Sequence, residues 1–470
     1  MAVVDAFVEY IQDAPEMSAV PGVADVVERS VLDSLGVALH ASTGEMASAL
    51  IRALALDTGT NRVIGRRERL ASSSSVLVNG ALIHAEDWDD MGGSGGHPSA
   101  ALIPPLLALA ETHPVSGADF IDAYACGYQV GTVLARSLTG DSLAMDRPWH
   151  PSAVVGPLAA SAAASRLLRL DADQSANALA IASSFSGGFL AQFGTWAKPL
   201  QLGKAASAGY LSALLAREGF AGDREFIERP NGFAACFAPG ASWRYMKHDL
   251  AGPLFLTSTD DTRAVGFGIH IKPWPWCGGA NPAVTALEQI LEAHRINWLE
   301  VESVLIEEPV DRTKGSLFRS ADSSVGLHGK FSVAYNVIAR LLYPEAMPLI
   351  HTNDIAREIH DTGLISRTET VVGKPFGHSP PTSRVTLRLH DGREFSGVSD
   401  AHGRELAGAD VTAKFRAATA QVVELHTAEM LIAAVTQLRS ATEVGALLWP
   451  IAAFAPGTLD GPLAEHSAVT

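Results

Sequence analysis

The spacing of apolar residues along this chain changes near residue 265, and this change restricts the fold more than any other feature. Up to about residue 260, apolar residues recur every three or four positions, as in Val27, Val31 and Leu35, which predicts amphipathic helices. Residues 156–170 (GPLAASAAASRLLRL) are rich in alanine and serine, and small side chains let helices approach closely. The first half therefore predicts a compact array of helices without alternation of strand and helix.

Beyond residue 265, strands are mixed with helices. Residues 301–309 alternate and contain β-branched side chains. Within 384–398, Asp391 and Gly392 lie between two alternating runs, which predicts a β-hairpin. This part of the chain therefore predicts a small α+β unit.

Helical periodicity returns from Asp410. We therefore predict a mainly α fold with two domains. Residues 1–262, completed by 404–470, are expected to form a large helical-array domain. Residues 263–403 are expected to form a smaller α+β lid domain.

Composition excludes several classes of protein. Hydrophobic residues make up 47% of the 470 positions and charged residues 18%, which excludes intrinsic disorder. The formal net charge of -16 argues against a nucleic-acid partner. A small anionic substrate remains compatible with this charge, because a binding cleft needs only a few cations.

Cofactor motifs are absent from the sequence. The three cysteines, Cys126, Cys236 and Cys277, are too far apart for a disulfide framework or a CxxC-type metal site. Neither GxxxxGK[ST] nor GxGxxG occurs, so nothing indicates a nucleotide. The acidic N-terminal segment and the polar residues within the longest uncharged stretch, 174–197, predict no secretory signal and no membrane span. We expect a cytoplasmic protein without a metal or organic cofactor.

The densest polar segment begins at His84 and ends at Ser99. Four acids within five residues, at 86, 87, 89 and 90, repel one another, and burial would raise their affinity for protons. The glycines that follow allow His97 to fold back towards Asp87. Two other interpretations are open: a solvated acidic helix end, and a divalent-cation site of aspartate and histidine.

Two lysines lie in apolar surroundings. Lys198 follows the long uncharged stretch and precedes a proline, so we expect an anion beside it, unless its side chain reaches solvent. Lys272 opens an irregular loop rich in proline, tryptophan and glycine. At the end of that loop, Asn281 and Pro282 are a natural N-cap and first helical residue, so capping is the predicted role of Asn281.

Six segments together resemble the MmgE/PrpD family, which includes 2-methylcitrate dehydratase, cis-aconitate decarboxylase and iminodisuccinate epimerase. They are HAEDWDDM…HPS from 84, WHPSAVVGPLAASAAASRLLRLDADQ at 149–174, GTWAKPLQLGKAASAG at 194–209, KPWPWCGGANPA at 272–283, FSVAYNVIA at 331–339 and DAHGRELAGADVTAKF at 400–415. The resemblance implies a large helical domain, a smaller lid domain, a site between them, a homodimer, and catalysis without metal or organic cofactor.

The resemblance also implies site residues. It places catalytic roles on Asp87, His97, Lys198 and Tyr335. It places substrate contacts on Lys272, His150, Met91, Gln201 and Asn281. Three of these depart from the family pattern: Gln201 and Asn281 stand where histidine is frequent, and Met91 stands where threonine is frequent.

The expected function is a lyase acting on a di- or tricarboxylic acid by dehydration or decarboxylation. His97 and Asp87 would handle the proton, Lys198 and Lys272 would hold carboxylates, and Tyr335 would supply a hydroxyl. One alternative is an epimerase of a dicarboxylate such as an iminodisuccinate-like compound. Another is a non-catalytic carboxylate-binding homologue.

Overall fold

A computed structural model of the chain describes residues 2–93, 96–139, 148–239, 241, 243, 246–251, 255–257, 268–309, 319, 325–344, 349–372, 383–399, 406 and 408–452. Within these residues the fold is mainly α, as the sequence predicts. None of the described helices is both long and apolar enough to pass through a membrane.

The helices before residue 260 contain the predicted periodicity. They are α1 (Val3–Asp13), α2 (Val23–Ser42), α3 (Glu45–Ala53), α4 (Ser72–His84), α5 (Pro98–Ala110), α6 (Gly117–Thr139), α7 (Pro151–Leu167), α8 (Ala172–Ser183), α9 (Ala197–Arg217), α10 (Phe233–Phe237) and α11 (Met246–Ala251). The periodicity missed a short antiparallel pair, β1 (Thr58–Arg62) and β2 (Arg69–Leu70). These two strands, of five and two residues, are too short to show an apolar period.

Small residues bring the central helices into direct contact. A Cβ added at Gly203 of α9 would lie 2.1 Å from the carbonyl oxygen of Leu77 in α4. A Cβ at Gly209 would lie 2.4 Å from the Cβ of Ala160 in α7. The close approach expected from the alanine- and serine-rich segment is therefore confirmed, and it fixes α4, α7 and α9 against one another.

A four-stranded sheet follows in the second half. Its strands are β3 (Val301–Glu308), β4 (Thr368–Val372), β5 (Ser383–Leu389) and β6 (Glu394–Ser399), in the order β4-β3-β5-β6. β4 is parallel to β3, and the other pairs are antiparallel. The predicted hairpin is confirmed: Leu389 donates to the carbonyl of Arg393 across the turn that contains Gly392.

Some helices of the second half cover the sheet, and others pack against the helices of the first half. The helices of the second half are α12 (Asn281–Ala293), α13 (Gly326–Gly329), α14 (Val333–Leu342) and α15 (Asn353–Asp361), followed by α16 (Gly408–Thr419), α17 (Leu425–Thr436) and α18 (Val444–Ala452). α12 packs on β5 and β6, whereas α16 and α17 pack against α2. The domain limits at 262/263 and 403/404 fall outside the described residues and stay a prediction.

Candidate active site

The turn after α4 gives the site its geometry. α4 ends at His84, and three residues later Asp87 takes a positive φ of 53°, which aspartate tolerates better than most side chains. The carboxylate and the carbonyl oxygen of Asp87 then both accept hydrogen bonds from the ammonium of Lys272. The same turn therefore directs two acceptors of one residue towards one lysine.

Two buried lysines share the Asp87 carboxylate. Its Oδ2 lies 3.0 Å from Lys198 Nζ, and its Oδ1 lies 2.7 Å from Lys272 Nζ. Each of the three residues is only 2% exposed. Burial alone would raise the pKa of Asp87, but the two ammonium groups hold it well below its usual range. The predicted anion beside Lys198 is confirmed, and we call these three residues with His97 the Asp87 cluster.

The ammonium of Lys198 lies against apolar and aromatic groups. α9 begins at Ala197, so Lys198 occupies the first turn of this helix. Its Nζ lies 4.8 Å from the ring centroid of Phe193 and 5.3 Å from that of Phe331. Burial lowers the pKa of Lys198, and the Asp87 carboxylate opposes this effect.

His84 and Asp89 form a second buried pair in contact with Lys198. Lys198 donates to His84 Nε2 at 2.6 Å, so the proton of this ring must be on Nδ1, which lies 3.0 Å from both oxygens of Asp89. Burial lowers the pKa of His84 to about 3, so the ring is neutral near pH 7. Sequence reasoning missed a role for His84, although its position five residues before Asp89, at the end of a helix, was a usable signal.

His97 faces Asp87, as expected. Its Nε2 lies 3.6 Å from Asp87 Oδ1, and its Nδ1 donates to the backbone carbonyl of Asp90 at 3.0 Å. Nδ1 also lies 3.4 Å from Asp89 Oδ2. The backbone N–H of His97 donates to Ser152 Oγ at 2.8 Å, which fixes the start of α5. The His97 side chain is 11% exposed, more than the other charged or imidazole groups of the cluster.

His150 and Gln201 lie beside this cluster. The His150 ring centroid is 5.9 Å from that of His84 and 6.3 Å from that of His97. The Gln201 amide donates to the carbonyl of Phe189 at 3.2 Å, so its oxygen accepts from His150 Nδ1 at 2.8 Å. Burial, assisted by the charge of Lys198, lowers the pKa of His150 well below its usual range. Gln201 therefore orients a neutral imidazole whose Nε2 carries no proton.

Met91 joins the acidic segment to the loop of Lys272. Its backbone N–H donates to the carbonyl of His270 at 2.9 Å, and its carbonyl accepts from His270 N–H at 2.8 Å. A Cβ added at Gly278 would lie 2.0 Å from the Met91 sulfur. The Met91 side chain therefore packs directly against Gly278 and joins the two segments.

The predicted capping role of Asn281 is wrong. Asn281 is the first residue of α12, and Ala280 stands at the N-cap position without a side-chain cap. The Asn281 amide oxygen accepts from Trp276 Nε1 at 3.0 Å. Because Lys272 also donates to the Trp276 carbonyl, at 3.1 Å, Asn281 stabilises the loop that carries this lysine.

Contacts through His351 and Trp276 link Tyr335 to the Asp87 cluster. Its hydroxyl donates to the carbonyl of Ile350 at 3.0 Å, and its ring stacks on His351 at 5.6 Å between centroids. His351 in turn lies 6.0 Å from the Trp276 ring. A catalytic role for the hydroxyl requires the bond to Ile350 to break, and this role stays a prediction.

The prediction that repulsion and burial raise the pKa of all four neighbouring acids is wrong for three of them. Asp87 and Asp89 are buried and Glu86 is half-buried, which favours the neutral form, yet adjacent cations or imidazoles lower the pKa of each. Glu86 is paired with Lys330 at 2.5 Å. Only the pKa of Asp90 is raised, to about 7, by burial, while its bonds to Ser99 oppose the shift. The interpretation as a solvated helix end is excluded, because Asp87, Asp89 and Asp90 are at most 2% exposed.

The cation-site alternative has a geometric basis. One ligand atom each from His84, Asp87, Asp89 and His97 lies within 4.8 Å of the others. Two of these four residues, His84 and Asp87, already accept hydrogen bonds from Lys198. A metal ion would therefore have to displace an ammonium or bind beside it, at a large electrostatic cost.

The chain is similar to several known proteins over most of its length. The chain is 27% identical to cis-aconitate decarboxylase of Mus musculus over 462 residues, which covers 95% of this chain and 92% of the relative. It is 29% identical to cis-aconitate decarboxylase of Homo sapiens over 440 residues, covering 89% and 88%. A cis-aconitate decarboxylase-like protein of Aspergillus oryzae is 26% identical over 459 residues, covering 90% and 92%.

These relatives identify the chain as an enzyme of lyase type. The model of the MmgE/PrpD N-terminal domain matches residues 5–246, which include His84, Asp87, His97 and Lys198. The chain therefore belongs to the MmgE/PrpD family.

Proposed function

We propose that this protein is a cofactor-independent decarboxylase of a tricarboxylic acid of the cis-aconitate type, and that the Asp87 cluster is its active site. The observation that carries the proposal is the convergence of two buried ammonium groups on one carboxylate beside an imidazole. The relatives named as cis-aconitate decarboxylases point to the same chemistry.

The hydrogen bonds favour Lys198 as the first anchor for a substrate carboxylate. An ammonium has three N–H groups. Lys272 uses its three on the carboxylate and carbonyl of Asp87 and on the Trp276 carbonyl. Lys198 uses two, on His84 and Asp87. A substrate carboxylate would therefore bind Lys198 first and reach Lys272 when the Asp87 side chain turns away.

The bond changes in decarboxylation match these groups. The carbon–carbon bond to the departing carboxylate breaks, and its electron pair forms a new double bond to the neighbouring carbon. The electrons of the old double bond move to a carbon next to a remaining carboxylate, and that carbon takes a proton. Negative charge builds on that carboxylate during the reaction, where a preorganised ammonium such as Lys198 stabilises it without a metal.

His97 is the group proposed to deliver the proton. It is the most exposed imidazole of the site, and its ring is oriented by the Asp90 carbonyl and by Asp87. Substrate contacts by Met91, His150, Gln201 and Asn281 and a catalytic role of Tyr335 remain predictions of the same proposal. So do a homodimeric assembly and a cytoplasmic location.

A panel of polycarboxylates tests the proposal. Purified protein is incubated with cis-aconitate, citrate, a methyl-branched tricarboxylate and several dicarboxylates, and product mass and carbon dioxide are measured. Release of carbon dioxide that His97→Gln abolishes and the matched His113→Gln retains supports the proposal; the His113 ring interacts with Thr112 rather than with the site. Loss of water alone, or exchange of solvent deuterium with no change in composition, would instead indicate a dehydratase or an epimerase.

A further inference from the structure

An apolar cavity of about 50 Å³ borders His97, and neither Lys198 nor Lys272 lines it. It lies between α5, α6 and α7, and Gly92, Gly93 and Gly96 also line it. Its walls include Ala101, Gly131, Ala135 and Ala159. Small residues on three different helices leave this space, since longer side chains at these positions would fill it.

Apolar atoms make up nearly all of the cavity wall. Ser152 Oγ accepts from the backbone of His97. The Thr132 hydroxyl is buried and makes no hydrogen bond within the described part of the chain, so the wall offers a water only this one open side-chain partner. Among the described residues that line the cavity, none is Lys, Arg, Asp or Glu. A buried water needs two to four polar partners, so these walls favour a nonpolar occupant over water.

His97 connects this cavity to the Asp87 cluster. The residue lines the cavity, while its Nε2 lies 3.6 Å from Asp87 on the side of the lysines. A substrate anchored by its carboxylates at Lys198 or Lys272 can place only an uncharged part beyond His97, because a charged group there would lose its hydration without a counterion.

We propose that this cavity is a subsite for one small nonpolar group of the reaction. The group is either an alkyl substituent of the substrate or the carbon dioxide that the reaction releases, since both are small, uncharged and without a hydrogen-bond donor. The assignment to the reaction depends on the decarboxylation proposed above. The preference of the cavity for a nonpolar occupant does not depend on that proposal.

Xenon tests the occupancy directly. Xenon NMR titrations compare wild type with Ala159→Val, which fills the cavity, Val155→Ala, which enlarges it, and the control Ala434→Val in α17, outside the cavity. Wild type, Val155→Ala and Ala434→Val should bind xenon saturably, and Ala159→Val should lose roughly tenfold or more in affinity. If Ala159→Val does not fold, Ala135→Val replaces it. The absence of saturable binding, or unchanged binding in the filled variant, would overturn the subsite.

Kinetics of the same variants distinguish the two sources of the group. If the cavity holds a substituent, Ala159→Val should lower kcat/KM about tenfold or more for a methyl-branched substrate and leave the unbranched one unchanged. If it holds carbon dioxide, the variant should lower kcat for both substrates. Wild-type activity of Ala159→Val on both substrates would overturn a role in the reaction. Xenon binding without any decarboxylation would contradict the proposed function but not the cavity, and decarboxylation without xenon binding would contradict the cavity alone.

Discussion

Replacing Asp87 by asparagine should both destabilise the protein and create a binding site for a polycarboxylate. The change removes the only negative charge in hydrogen-bond contact with Lys198 and Lys272 among the residues described, at 3.0 and 2.7 Å. Both ammonium groups then remain buried, at 2% exposure, without a counterion. A carboxylate supplied from solution can take the place of the missing charge.

The size of the stability loss can be worked out from this geometry. Removing one partner of a buried ion pair costs roughly 3–5 kcal/mol. The unfolding entropy of ~2.1 cal/mol/K per residue gives on the order of 1 kcal/mol/K for 470 residues unfolding together. The melting temperature of Asp87→Asn should therefore fall by about 3–5 °C.

Asp33→Asn provides a matched control. Asp33 is also 2% exposed and pairs with one lysine, Lys414, at 2.5 Å. Thermal unfolding of both variants is measured with and without citrate at the same ionic strength. Citrate at 100 times its dissociation constant stabilises a folded protein by about 2.7 kcal/mol, which should restore most of the loss in Asp87→Asn and little in Asp33→Asn.

Two results would refute this reasoning. A melting temperature of Asp87→Asn equal to that of wild type would show that the carboxylate does not compensate the lysines. Equal protection of both variants by citrate would show that the positive charge left without a counterion in Asp87→Asn does not bind carboxylates.

Three further predictions concern the same region. His97→Gln should lower turnover by ~10²–10⁴-fold with little change in melting temperature, as measured by steady-state kinetics and thermal unfolding, and full activity would exclude His97 as the proton carrier. The pKa of Asp90 is about 7 in the folded state and 3.8 in the unfolded chain, so stability present below pH 4 is lost as the pH rises through 7. Asp90→Asn should therefore abolish a loss of about 3 kcal/mol between pH 5 and pH 8, measured by denaturant unfolding at these two pH values, and an identical pH dependence in both proteins would contradict it. Elemental analysis should find no stoichiometric metal, whereas one chelatable zinc or magnesium per chain with loss of activity would assign His84, Asp87, Asp89 and His97 as its ligands.

The period of apolar residues was sufficient to predict most of the fold. Val27, Val31 and Leu35 are all completely buried in α2, and β5 alternates between buried and more exposed residues as an antiparallel strand should. The pair β1 and β2 was missed because it is too short to give a period. Local sequence did not predict the contact of Asn281 with Trp276, because this contact depends on how a whole loop folds back.

The sequence was sufficient to name most residues of the candidate site but not to predict how their charges are paired. The family motifs named Asp87, His97, Lys198 and Lys272, and the structure brings their side chains together. Repulsion among neighbouring acids predicted raised pKa values, but lysines more than one hundred positions away lower the pKa of Glu86 and of Asp87. Pairings at this sequence distance, such as Lys198 with Asp87, follow from the packing of α4 on α9 and cannot be deduced from the local sequence.

Decarboxylation in deuterium oxide tests the central claim most directly. Wild-type protein is incubated with cis-aconitate, carbon dioxide is trapped, and deuterium in the product is counted by NMR. The proposed bond changes predict one carbon dioxide released for each deuterium placed on the carbon next to a remaining carboxylate, and a loss of both in His97→Gln. Deuterium uptake by the substrate without release of carbon dioxide would contradict the assignment of this site as a decarboxylase.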